Sequence, residues 1–126
     1  MRDFRELMVW QRAHALTLSI YRATTTFPSS ELYGLTSQMR RASASIGANI
    51  AEGIGKDSHR EVMRFFQMAC GSGSELDNHL LLARDLGFLG AMEYAKLERQ
   101  LAELRKMLTS FTRTYRQNHR MQEVSW

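Results

Sequence analysis

The chain has a single cysteine and a single proline among its 126 residues. Cys70 alone cannot close an internal disulfide, so the fold must rest on burial, and the chain suits a reducing compartment such as the cytoplasm. Pro28 alone leaves almost every other stretch open to helix. Valine is scarce, and no segment alternates apolar and polar residues as a half-buried strand would. No run approaches the roughly 18–20 apolar residues that span a bilayer, so no membrane contact is expected. The first six residues, Met1 to Glu6, carry both charge signs and no apolar core, and no secretory signal is expected. Catalytic patterns are missing too. His14, His59, His79 and His119 are scattered, and Glu75 precedes His79 by four residues rather than the three used in di-iron bundles. Ser72 and Ser74 lack a nucleophile elbow, and Gly53, Gly55 and Lys56 lack the rest of a phosphate loop. The expectation is a protein without catalytic residues, metal or cofactor.

What is present is helical pattern. Hydrophobic residues make up 44% and charged residues 24%, an ordinary balance for one globular domain. Between Leu35 and Gly53 the residues Leu35, Met39, Ala42, Ile46, Ile50 and Gly53 recur at spacings of three and four, the apolar seam of a packed helix. Beside that seam runs a polar line, Gln38, Arg41, Ser45, Asn49 and Glu52. The small residues between the two lines allow a neighbouring helix to come close.

The spacing predicts four helices, over about 5–25, 31–53, 59–86 and 91–115, with residues 116–126 as a polar, frayed tail. The first uses Leu7, Trp10, Ala13, Leu16 or Thr17, Ile20 and Tyr21, with Trp10 expected in the core. Pro28 breaks the chain, and Ser29 or Ser30 is positioned to cap the second helix ahead of Glu31. Gly53 and Gly55 suit a left-handed C-terminal cap. Ser58 and Glu61 form a capping box for the third helix, which is expected to continue through Gly71-Ser72-Gly73-Ser74. The fourth carries Leu97, Leu101, Leu104 and Leu108, with Arg99 and Glu103 spaced as an i,i+4 ion pair. Helices of this length joined by short turns fold up-down-up-down, so the fold class is an all-α four-helix bundle over residues 1–115.

Several stretches together resemble the four-helix bundle proteins encoded in intervening sequences of 23S ribosomal RNA genes. They are Leu7 to Ala13, Phe27-Pro28 with Glu31 to Ala42, Ser45-Ile46 with Asn49 to Gly53, Arg64 to Ala69 with Gly71-Ser72 and Glu75-Leu76, and the leucine stripe of the fourth helix ending at Met107-Leu108. The resemblance implies a bundle that assembles into a ring-shaped homo-oligomer, a homopentamer. It is similar in fold to the accessory proteins of diversity-generating retroelements, which implies nucleic acid and a reverse transcriptase as partner classes. It implies no enzymatic activity.

Charge points the same way. The net charge is +4 at pH 7, and from Arg105 to Arg120 the chain holds Arg105, Lys106, Arg113, Arg116 and Arg120 with no acid among them. Such a run either complements the helix dipole at a C-terminus or contacts a polyanion. The two termini of an up-down bundle share one end, so Arg2, Arg5 and Arg12 are expected near that cluster. These eight cations are the candidate nucleic-acid contacts, most of all for RNA, with a protein-binding scaffold that touches no nucleic acid as the alternative. Gln38, Arg41, Ser45, Asn49, Glu52, Arg64 and Glu75 form either a subunit interface or an internal network in which Arg41 or Arg64 satisfies Glu52 or Glu75.

Overall fold

The structure is a computed structural model that describes the backbone of residues 3–124 and the side chains of residues 3–118. Four α-helices follow one another, α1 (Met8–Thr24), α2 (Leu35–Ile54), α3 (His59–Asp85) and α4 (Ala91–Val124), with short 3-10 turns at Phe4–Glu6 and Ser29–Glu31. Among the described residues α1 packs on α2 and α4, and α3 packs on α2 and α4, while the diagonal pairs do not meet. Consecutive helices run antiparallel: the Ser45 hydroxyl meets that of Ser72, and Phe66 stacks on Phe111. The fold is an all-α, up-down-up-down four-helix bundle. Leu16, Ile20, Met39, Ile46, Ile50, Phe66, Leu76, Leu80, Leu97, Leu101, Leu104 and Leu108 are fully buried at its centre. Each such side chain stabilises by about 1.5–3 kcal/mol relative to exposure, which is why the leucine stripe on α4 and the seam on α2 face one another across the core.

Local chemistry sets the helix ends, not always as the pattern suggests. The second helix begins at Leu35, not at residue 31, because Gly34 departs from helical geometry (φ −113°, ψ −115°). Its cap is neither serine: the Glu31 carboxylate reaches over Gly34 and accepts from the Leu35 N–H at 3.1 Å. A Cβ at Gly34 would sit 2.7 Å from that carboxylate oxygen, so glycine is what lets Glu31 do this. The C-terminus of α2 has no left-handed cap, since Gly55 stays right-handed (φ −86°, ψ −2°). Gly53 lies inside α2 for a different reason, the close approach of Phe65, whose Cβ would be 2.8 Å from an added methyl. The left-handed glycine is Gly87 (φ 80°), where the Phe88 N–H returns to the Ala83 carbonyl at 2.9 Å and the Gly87 N–H to Arg84 at 3.0 Å. α3 passes through its glycine–serine segment unbroken.

The α4 helix is longer than its pattern indicates. It continues through residue 115, where the tail was expected to fray, to Val124. Leu7, Met8 and Val9 lie against Met107 to Thr114, and Tyr115 stacks on His59, the first residue of α3. The nine residues beyond Tyr115 therefore carry α4 about 13 Å past that contact at 1.5 Å per residue, its last turns overhanging the bundle. No described helix is long and apolar enough to cross a membrane.

Candidate nucleic-acid interface

The cations expected to cluster divide into paired and unpaired groups. Arg5 is held by Asp3, whose carboxylate accepts from the Arg5 backbone N–H at 3.0 Å and from its guanidinium at 3.2 and 3.1 Å. The backbone hydrogen bond leads in lowering the Asp3 pKa; desolvation opposes it, and the Arg5 guanidinium adds lesser lowering contributions through its hydrogen bond and its charge. Arg12 faces Glu103 at 3.7 Å, a pair in which both side chains are more than half exposed, so it adds little stability. Glu103 is thereby drawn across to α1 and makes no ion pair with Arg99. Arg105 reaches α3, donating to Asp77 at 3.2 Å and to the Ser74 hydroxyl at 3.1 Å. Three of the expected contacts are thus already bound to carboxylates.

Lys106, Arg113 and Arg116 are different. All three are exposed on the outer side of α4, and none makes a hydrogen bond or ion pair with a described residue. Arg105, Lys106, Thr109, Ser110 and Arg113 line a shallow hollow of about 350 Å³ along that helix. Its wall is cationic and hydroxylic, the chemistry of a phosphate contact. Arg2 lies outside the described residues. Arg120 is on the overhang of α4, with its side chain outside them.

Among the described residues, no aromatic side chain stands free on this face. Tyr115 is half-buried between His59 (5.1 Å between ring centroids) and Phe111 (6.3 Å). Trp10 is only half-buried rather than in the core, yet it is covered by Phe4 at 5.0 Å and by His14, stacked at 4.8 Å. Base stacking has no platform among these residues, so the face offers backbone contacts rather than base reading.

The polar line on α2 resolves into two halves. On the inner side, Asn49 donates to the Ser45 carbonyl (2.9 Å) and hydroxyl (3.0 Å), and the Ser45 and Ser72 hydroxyls share a hydrogen bond of 2.9 Å. That half is an internal network joining α2 to α3. On the outer side, the side chains of Gln38, Arg41 and Glu52 are exposed and bond to no described residue. The ion pairs expected of Arg41 or Arg64 with Glu52 or Glu75 do not form: Arg64 turns to Glu61 at 3.3 Å and Glu75 to His79 at 3.3 Å. Gln38, Arg41, Ala42, Ser45 and Glu75 surround an open polar hollow of about 480 Å³.

Pattern reading passed over two kinds of residue. Arg40, one position from the polar line, lies over the Tyr21 ring at 4.8 Å and donates to Thr24 Oγ1 at 2.9 Å, tying α2 to α1. Lys56, in the turn between α2 and α3, and Arg60, in the first turn of α3, share the end of the bundle with Arg113 and Arg116. Asp57 and Glu61 beside them make the local charge look balanced, and only the topology places them at that end.

The profile of one protein family, 23S rRNA-intervening sequence protein, matches residues 5–110. The chain belongs to that family. The 23S rRNA-intervening sequence protein match covers α1, α2, α3 and α4 as far as residue 110, so Arg113, Arg116 and Arg120 lie beyond it. A crystal structure of a protein of unknown function from the S23 ribosomal protein family of Bacteroides thetaiotaomicron VPI-5482 superposes with a TM-score of 0.75 at 20% identity, covering 83% of this chain and 98% of that one. At that identity the likeness shows the shared fold. No curated protein matches the chain.

Proposed function

We propose that this member of the 23S rRNA-intervening sequence protein family is a non-enzymatic cytoplasmic protein that binds nucleic acid, RNA before DNA, through the outer face of α4. The observation that carries this reading is the acid-free stretch from Arg105 to Arg116 on a helix that outruns its bundle, with Lys106, Arg113 and Arg116 exposed and unclaimed by described carboxylates. Exposed guanidinium groups without internal partners contact phosphates at little desolvation cost and release counterions on binding. With no stacking platform among the described residues of this face, recognition is sequence-tolerant and favours structured RNA.

The same reading has the protein act as a ring-shaped homo-oligomer, a homopentamer. The support is the outer half of the polar line, where the side chains of Gln38, Arg41 and Glu52 are exposed and bond to no described residue, together with the exposed apolar side chains Met68 and Leu82 of α3 and Leu86 at its end. A second reading keeps the ring and turns its basic face to an acidic protein partner such as a reverse transcriptase.

Fluorescence anisotropy of a labelled RNA hairpin across a salt series decides between the two. Wild type is expected to bind with affinity falling log-linearly in salt, and K106A/R113A/R116A to flatten the slope by about 0.7–0.9 per phosphate contact removed. Absence of binding at low salt would reject the nucleic-acid reading and leave the scaffold.

A further inference from the structure

The end of the bundle beneath the overhang of α4 forms a corner. One wall is α4 itself, carrying Arg113 and Arg116. The other is the turn between α2 and α3, carrying Lys56, with the first turn of α3, carrying Arg60. The stacking of His59 on Tyr115, 5.1 Å apart and 11° from parallel, fixes the two walls together where they meet. Phe66 on Phe111 repeats the contact farther in, at 4.9 Å and 18°. These pairs set the antiparallel register of α3 and α4, which puts Arg60 level with Arg116.

The charges on the second wall are available. Arg60 is exposed and makes no hydrogen bond or ion pair with a described residue. Lys56 is exposed, its ammonium 5.0 Å from the centre of the Phe65 ring, a contact that orients the chain without neutralising it. The nearest acid of α3, Glu61, is engaged by Arg64 at 3.3 Å. Asp57, in the turn between Lys56 and Arg60, is the opposing charge on this wall. Neighbouring helices lie about 8–10 Å apart, so long cationic side chains from both walls can meet one polyanionic backbone.

We infer that this corner seats a nucleic-acid backbone, with Lys56 and Arg60 contacting phosphates alongside Arg113 and Arg116. The inference rests on the nucleic-acid reading above and extends the contact surface from one helix to two elements. A backbone lying in the corner crosses the end of the bundle rather than tracking the length of α4 alone.

The test uses the full chain and the same labelled RNA hairpin. K56A/R60A is expected to reduce the salt slope by about 1.5, two contacts' worth, and to weaken binding on the order of tenfold at moderate salt. R22A/K96A removes the same charge from the opposite end of the bundle and is expected to stay within about twofold of wild type. Circular dichroism checks that each variant is folded, and K56Q/R60Q replaces the alanine pair if it is not. Equal behaviour of K56A/R60A and R22A/K96A, with loss only in K106A/R113A/R116A, would overturn the corner and leave the α4 surface standing. No binding by wild type would overturn both.

Discussion

Gly53 and Gly71 occupy helix interiors and have opposite reasons for lacking a side chain. A methyl at Gly53 would meet Phe65 Cβ at 2.8 Å and the Phe66 ring at 3.2 Å, in the most closely packed pair of helices. Gly53→Ala is expected to destabilise by about 1–3 kcal/mol, the usual cost of overpacking, read as a lower urea midpoint. A methyl at Gly71 meets nothing within 4 Å. Gly71→Ala is expected to stabilise by about 0.5–1 kcal/mol, since the helix gains and the unfolded chain loses freedom. Cys70 gives a third test at this scale. Burial raises its thiol pKa, with the Arg105 charge opposing. Less thiolate exists at any pH below that raised value, so alkylation by iodoacetamide at pH 8 should be slower than for a free thiol and should accelerate in urea. The sign for stability follows: the unfolded thiol ionises first, so the contribution is full below the unfolded pKa and declines as pH rises through the folded one. The different roles of the two glycines were not legible in the sequence, because spacing does not say which face meets an aromatic ring.

The helices themselves were legible almost throughout, because each carries an apolar stripe at helical period that only burial can satisfy. Their ends were less so. The Ser58–Glu61 pattern is half realised: the Ser58 hydroxyl accepts from the Glu61 N–H at 3.1 Å, while the Glu61 carboxylate goes to Arg64. Ser58→Ala should therefore cost about 1 kcal/mol, the value of one N-cap, measured by thermal or urea unfolding. At α2 the two serines looked like better caps than Glu31, and a carboxylate capping from four residues away needs a glycine between that no propensity scale weighs. At α4 the composition after residue 115 resembled a tail because it lacks an apolar stripe. It continues as helix because nothing in it, neither proline nor glycine, interrupts the one already formed.

For the whole molecule, the pairing of cations decides what remains for a ligand. Arg5, Arg12 and Arg105 are drawn into contacts with Asp3, Glu103 and Asp77, while Lys106, Arg113 and Arg116 are left outward. Charge balance along the chain could not separate these groups, since two of the three pairs join residues on different helices. The same holds for the polar line on α2, whose inner residues close on Ser72 and whose outer residues stay open. If the outer half is an interface, sedimentation or light scattering should give a ring mass near 73 kDa, five times the 14.6 kDa chain. Reversing charge with R41E should lower that mass, and a monomer from wild type would remove the ring from the proposal.

The sequence by itself determined the class and the topology. One proline, one cysteine and four apolar stripes joined by short turns allow little besides an antiparallel helical bundle, because each stripe must be buried and each turn is too short for anything but a reversal. It also determined that cations crowd the last helix. Only the tertiary structure decided which of them are free, because ion pairing depends on what the neighbouring helix presents at the same height. Only the packing of His59 on Tyr115 brought the start of α3 beside the overhang of α4. Residues more than fifty positions apart share that corner through the register of two antiparallel helices, a relation set by their mutual packing.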